Sequence, residues 1–265
     1  MGNKRSFSMS NQPIVQLKNV GKSYGPVVSL QDVSLDIGSN EIVGLIGDNG
    51  AGKSTLIKIM TGVEPPTSGE VSIRGERIDF TNYSVQRAHE LRIETVYQSS
   101  SLGIKQPLWR NFFVGRPITN SLGFIKVKEQ KRLSEKIMRD TIGFRGAGID
   151  VDTPVGRLSG GERQGVAIGR AMHFESDLIV LDEPTVALAL SEVEKVLDFI
   201  RSIKENGRSC IYIEHNIHHV HAVCDRLIIL DRGRLVLDCE AASMSYEELT
   251  NFLRNLHFDT EEMSA

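Results

Sequence analysis

Gly47-Asp48-Asn49-Gly50-Ala51-Gly52-Lys53-Ser54 has the spacing of a phosphate-binding loop, a glycine and a Gly-Lys-Ser with four residues between them. Glycines at 47, 50 and 52 let the backbone approach a phosphate and turn its N–H groups inward, and a helix start adds partial positive charge. Lys53 can then reach the outer phosphates of a nucleoside triphosphate, and the Ser54 hydroxyl, with Thr55 beside it, can serve a Mg²⁺ ion. A second chemically capable pair closes an aliphatic run, Leu178-Ile179-Val180-Leu181, which ends in Asp182-Glu183. Carboxylates at a strand's end, beside the mouth of such a loop, suit two roles. Asp182 would hold the metal's shell, and Glu183 would orient and polarise an attacking water as general base.

These residues need a scaffold, and the flanking pattern predicts one. Ile42 to Ile46 has the length of a buried strand, and Leu56, Ile59 and Met60 fall at i, i+3 and i+4, so strand, loop and helix follow in order. Ile14–Val20 reads as an opening strand and Gly21–Pro26 as a turn holding Tyr24. Val33, Leu35 and Ile37 mark a half-buried strand, and Gly69–Gly75 another. Beyond Ser99 the character turns helical, with an apolar cluster at Trp109, Phe112, Phe113 and Val114 and a charged helix over Lys126–Met138. Asp177–Asp182 and Ser209–His215 read as buried strands. The helix between them is expected to start with Ser191 and Glu194 as a capping box and to end at Asn206-Gly207. Leu227–Leu237 reads as a hairpin and Ser245–Leu256 as a last helix. Strands alternating with helices around a phosphate loop predict an α/β core.

Leu158-Ser159-Gly160-Gly161-Glu162-Arg163-Gln164 reads in two ways. Ser159 and Glu162 satisfy an ordinary capping box, but a cap needs no glycine pair, and Gly160-Gly161 at a helix start would offer backbone donors to an anion. This run, lying between the phosphate loop and the acidic strand, resembles the signature of ATP-binding-cassette (ABC) ATPases, and the resemblance extends from Ile14 to about Leu256. It implies a P-loop NTPase core with an antiparallel β subdomain and an inserted helical lobe. The implied layout is one nucleotide-binding domain at 13–260, with a catalytic lobe at 13–97 and 171–240, a helical lobe at 98–170 and a C-terminal helix at 241–260. Tails at 1–12 and 261–265 flank it.

The same resemblance implies residue roles. Tyr24 is similar to the aromatic residue that stacks on adenine, Gln98 to the glutamine that links metal and membrane partner, and His215 to the switch histidine that contacts the γ-phosphate. Gly47 to Thr55 would cradle Mg²⁺-ATP. Ser159, Gly160, Gly161 and Glu162 would act on the nucleotide of a second, facing domain, in a homodimer that closes on ATP and reopens on hydrolysis. Two positions depart from the family pattern: Ala189 stands where an Asp is usual, and Glu214 where a small hydroxyl residue usually precedes the histidine. His215, His218, His219 and His221 invite a metal reading, which a strand at His215 would spoil.

Composition and cargo narrow the expectation further. With 40% apolar and 25% charged residues and a net charge of −3, the 265-residue chain has an ordinary soluble composition and offers no general grip on nucleic acid. Three widely spaced cysteines fit a reducing, intracellular setting, and no signal peptide or membrane-length apolar run is evident. Gly161–Phe174, His215–His219 and Phe113–Arg116 are similar to ATPases of bacterial monosaccharide importers of the ribose, xylose and fructose type. A cytoplasmic subunit, peripheral on the inner face of the membrane, is therefore expected. Its partners would be permease subunits, docked near Gln98 and Trp109–Val114, and through them a solute-binding protein. Alternatives are the motor of amino-acid uptake or of an exporter, and a soluble cassette acting on DNA or ribosomes. The short tail after Leu237 leads to the expectation that no added regulatory domain follows.

Overall fold

The computed structural model describes residues 12–97, 102–140 and 149–262. In chain order the first elements are β1 (Val15–Tyr24), β2 (Val27–Ile37), β3 (Ile42–Ile46), α1 (Lys53–Met60), β4 (Ser68–Ile73), β5 (Glu76–Arg77), α2 (Val85–Glu90) and β6 (Ile93–Val96). Three helices follow, α3 (Leu108–Phe112), α4 (Val127–Asp140) and α5 (Gly160–His173). The chain then returns through β7 (Leu178–Asp182), α6 (Leu190–Glu205), β8 (Ser209–Ile213), α7 (Ile217–Val223), β9 (Arg226–Asp231), β10 (Arg234–Glu240) and α8 (Tyr246–Glu262).

Two sheets divide the work. The six-stranded sheet runs β10-β9-β3-β8-β7-β6 and is parallel except for β10, which pairs antiparallel with β9. Its central strands are apolar at nearly every position because helices cover the sheet, and β3 and β8 are buried throughout. The antiparallel sheet, β2-β1-β4-β5, packs over α1 and shares one core with the inner face of the larger sheet. A separate apolar cluster, which includes Leu108, Phe112, Val155 and Val166, holds α3, α4 and the start of α5 together.

Four local expectations are revised. β1 runs on through Tyr24, because register shifts near Val20 and Lys22 absorb the Gly21 stretch and leave only Gly25-Pro26 to turn the chain. Tyr24 is thus the last residue of a strand. Helix α6 starts two residues earlier than Ser191 and Glu194 imply, at Leu190, with Ala189 as its cap. Ala189 has no acceptor, so only half a box forms, its N–H donating to the Glu192 carboxylate at 3.3 Å. Strand β8 ends at Ile213, so Glu214 and His215 lie in a loop that Asn216 closes by accepting the N–H of His218. Finally, Trp109, Phe112 and Phe113 are interior, which excludes them as a docking surface. Of that cluster only Val114 is exposed.

Candidate functional site

The larger sheet brings three loops together at the carboxyl ends of neighbouring parallel strands, where α/β proteins of this kind form ligand crevices. The phosphate-type loop follows β3, the acidic pair ends β7, and His215 follows β8, which lies between them. A cavity of ≈ 150 Å³ is lined by Asn49, Gly50, Lys53, Ser54, Asp182 and Glu183 among others. The residues expected to bind phosphate and metal therefore share one concave surface.

The loop's shape depends on its glycines, for different reasons at Gly52 and Gly50. Gly52 sits at φ 102°, and a Cβ there would come within 2.7 Å of the Ser29 carbonyl on β2. Gly50, at φ 87°, faces open space, so its constraint is conformational rather than steric. Lys53 opens α1 and folds back over the loop, its Nζ donating to the carbonyls of Gly47 at 2.6 Å and Asp48 at 2.9 Å. Burial lowers its pKa, and the charges of Glu183, Asp48 and Asp182 oppose that shift. Asp182 moves the other way. Its removal from water and the neighbouring Glu183 raise its pKa, while Lys53 and His215 act to lower it.

Glu183 is held in the left-handed region at φ 50°, a conformation costly for a side chain of this size and concentrated at functional sites. Its N–H donates to the Ile213 carbonyl of β8 at 3.0 Å, and its Oε1 lies 2.7 Å from His215 Nε2. The strained residue thus presents its carboxylate to the histidine. His215 also borders a second cavity of ≈ 230 Å³, reaching from Gly47 and Asp48 to Leu253 and Leu256 on α8.

The other expected residues fall at different distances from this centre. Tyr24 is 42% exposed, and its hydroxyl donates to the Glu64 carboxylate and interacts with Thr55, which places it beside the start of α1. Thr55 in turn shares a 2.7 Å hydrogen bond with Ser29. Ser29 lines the cavity and had no signal in the sequence, because it comes from β2 on the other sheet. Ser159, Gly160, Gly161 and Glu162 do not line that cavity. They form the predicted capping box of α5, with Ser159 N–H donating to Glu162 Oε2 at 2.8 Å. A Cβ on Gly160 would come within 2.4 Å of Leu188 Cδ2, so this glycine also serves close packing against the loop after β7. Gln98 lies outside the described residues. His218, His219 and His221 lie on α7, and no group of three or more metal-binding side chains occurs among the described residues.

Comparison with known proteins fits this geometry. The profile of the ABC transporter family matches residues 30–186. The xylose/arabinose import ATP-binding protein XylG of Sulfolobus acidocaldarius is 38% identical over 240 residues, which are 91% of this chain and 93% of that protein. The ribose import ATP-binding protein RbsA of Hahella chejuensis is 33% identical over 91% of this chain, which spans only 47% of that longer relative. Among solved structures, a dimeric ATP-binding cassette in a post-hydrolysis state with ADP and Pi superposes with a TM-score of 0.70. It is 25% identical, over 86% of this chain and 98% of its own.

Proposed function

The chain belongs to the ABC transporter family, and from that premise we propose that it is the ATP-hydrolysing subunit of a monosaccharide importer. The observation that carries this reading is the meeting of Lys53, Ser54, Asp182, Glu183 and His215 at the ends of three adjacent parallel strands. The overall chemistry is hydrolysis, ATP plus water giving ADP and phosphate.

Each residue has a task in it. The N–H groups of the Gly47–Thr55 segment and the Lys53 ammonium bind the phosphates, and Tyr24 stacks on the base. Glu183 orients the attacking water and takes its proton, and His215, hydrogen-bonded to Glu183, reaches toward the γ-phosphate. The donor set also suits Mg²⁺. Ser54 and Asp182 are hard oxygen ligands that line one cavity, and a cation there would favour the ionised form of Asp182 that burial and Glu183 oppose. Mg²⁺ usually keeps several waters and substrate phosphates as ligands, so two protein groups suffice, and Gln98 is a further ligand by resemblance. When bound, the ion would neutralise charge on the transferring phosphate.

Two copies of the chain face each other, with Ser159, Gly160, Gly161 and Glu162 of one completing the nucleotide site of the other. The relative that is dimeric with ADP and Pi bound supports the pairing of two copies. Among the described residues no helix is long and apolar enough to cross a membrane. In the importer reading, separate permease subunits carry the sugar, and this protein acts at the cytoplasmic face of the membrane. The permease docks in the cleft between α2 and the segment after α3, where His89, Val114 and Arg116 are neighbours and Arg116 pairs with Glu94 of β6. A solute-binding protein acts through that complex, and nucleic acid has no part. The named sugars of the relatives, xylose, arabinose and ribose, support a monosaccharide as cargo.

The test is Mg²⁺-ATP turnover by the purified protein and by Lys53→Ala. The variant is expected to lose activity by about 10²-fold or more, together with the thermal stabilisation that Mg²⁺-ATP confers on the wild type. Equal turnover in both proteins would overturn the reading.

A further inference from the structure

Glu214 immediately precedes His215, and its surroundings give it a task. It is 4% exposed, and among the described residues it is the one buried carboxylate. A buried carboxylate is tolerated only where hydrogen bonds replace its lost water. Here the replacements come from both catalytic loops. Oε2 accepts from the Thr185 hydroxyl in the loop after β7 and from the Tyr212 hydroxyl of β8 at 3.3 Å. Oε1 accepts the backbone N–H of His215 at 2.8 Å and of Asn216 at 3.4 Å.

A second chain of contacts closes the ring. Asn216 Nδ2 lies 3.1 Å from His219 Nε2, and His219 Nδ1 lies 3.5 Å from Thr185 Oγ1. These contacts assign His219 the tautomer with its proton on Nδ1. Asn216 then donates to His219, His219 to Thr185, and Thr185 to Glu214, without a conflict of donors. Glu214 and Asn216 flank His215 in the chain and Thr185 lies two residues after Glu183, so the ring joins the two segments that carry the contact between His215 Nε2 and Glu183 Oε1.

We propose that Glu214 is a positioning residue, whose carboxylate ties the loop bearing His215 to the loop bearing Glu183 and presets that pair before nucleotide arrives. The proposal rests on the ATPase reading above, but part of its test does not depend on turnover. Glu214→Ala removes the tie. Glu214→Gln keeps an oxygen for the two N–H groups and a polar head toward Thr185. Thr185→Val breaks the ring from the other loop while leaving the Glu214 carboxylate in the chain.

In steady-state ATPase assays, Glu214→Ala is expected to lower kcat about 10²-fold, the scale set by an ångström-sized misplacement, with KM for ATP within about 2-fold of wild type. Glu214→Gln should stay within about 5-fold of wild-type kcat, and Thr185→Val should fall between the two. In a His215→Ala background, the further loss from Glu214→Ala should vanish, because the group it positions is gone. The imidazole NMR signals of His215 in the nucleotide-free protein should move in Glu214→Ala and remain in Glu214→Gln, whether or not the wild type turns over ATP. Unchanged kcat and His215 signals in Glu214→Ala would overturn the proposal, as would additive losses with His215→Ala. If Glu214→Ala does not fold, Thr185→Val decides by the same readouts.

Discussion

At the scale of single residues, the site is a compromise between stability and charge. Asp182 binds its proton more tightly in the folded chain than its ordinary value of 3.8 implies, since burial and Glu183 both oppose its ionisation. Between that pH and its raised value in the folded chain, the folded state therefore holds more protons than the unfolded state, so stability falls as pH rises across this window and levels off above it. Asp182→Asn should remove that fall. Thermal melts above the window should show the nucleotide-free variant more stable than wild type, by about 1 kcal/mol, and without the stabilisation by Mg²⁺-ATP seen in wild type. Lys53, Asp182 and Glu183 were legible as chemistry because each sits at a fixed distance along the chain from glycines or a strand end. Ser29, the left-handed Glu183 and the ring around Glu214 were not. They depend on contacts between residues as much as 34 positions apart, and on a backbone angle for which no side chain is diagnostic.

At the scale of elements, the loop between β3 and α1 depends on its neighbour in the other sheet. Gly52→Ala would meet the Ser29 carbonyl and sit in an unfavourable φ region, so β2 must move away or the loop must open. A loss of about 1–3 kcal/mol in urea unfolding is expected, with a drop of about tenfold or more in Mg²⁺-ATP affinity by calorimetry. Helix α8 is anchored differently, by Leu249, fully buried against the outer face of the larger sheet. Leu249→Ala should cost about 2–5 kcal/mol, and the unfolding midpoint in urea measures it. That helix was legible from the spacing of Leu249, Phe252, Leu253 and Leu256, which do pack on the core. The start of α6 was misplaced because Ser191 and Glu194 satisfy a capping pattern that Glu192 preempts from Ala189, two residues earlier. Trp109 to Phe113 shows the complementary limit. Apolar residues in a helical stretch announce burial, but the sequence does not say whether a partner or the chain's own lobe provides it.

At the scale of the whole molecule, two sheets and a helical cluster must keep their relation while nucleotide comes and goes. Arg226 is one fastener. It is nearly buried, it donates to the Asp36 carbonyl of β2, and it pairs with Asp238 of β10 and with Glu41 before β3. Burial alone would lower its pKa, but hydrogen bonds to Asp238 and the charges of Asp238, Glu41 and Asp36 raise it. Arg226→Met should therefore destabilise the protein by about 3 kcal/mol in urea unfolding, at the low end for a broken buried pair because its carboxylates keep some water. The α/β architecture and the antiparallel companion sheet were legible from alternating strands and helices around one loop. The joining of the sheets through Arg226 was not, because its partners are scattered over some 200 positions of sequence.

The central claim is that a nucleotide bound between the Lys53 loop and Glu183 joins two copies of this chain until it is hydrolysed. Sedimentation of Glu183→Gln, with and without Mg²⁺-ATP, tests it most directly, with phosphate release measured on the same samples. The expected result is a dimer that forms only with Mg²⁺-ATP, dissociates when Mg²⁺ is chelated, and releases phosphate about 10²-fold more slowly than wild type or slower. A variant that stays monomeric with Mg²⁺-ATP while releasing phosphate at the wild-type rate would contradict it.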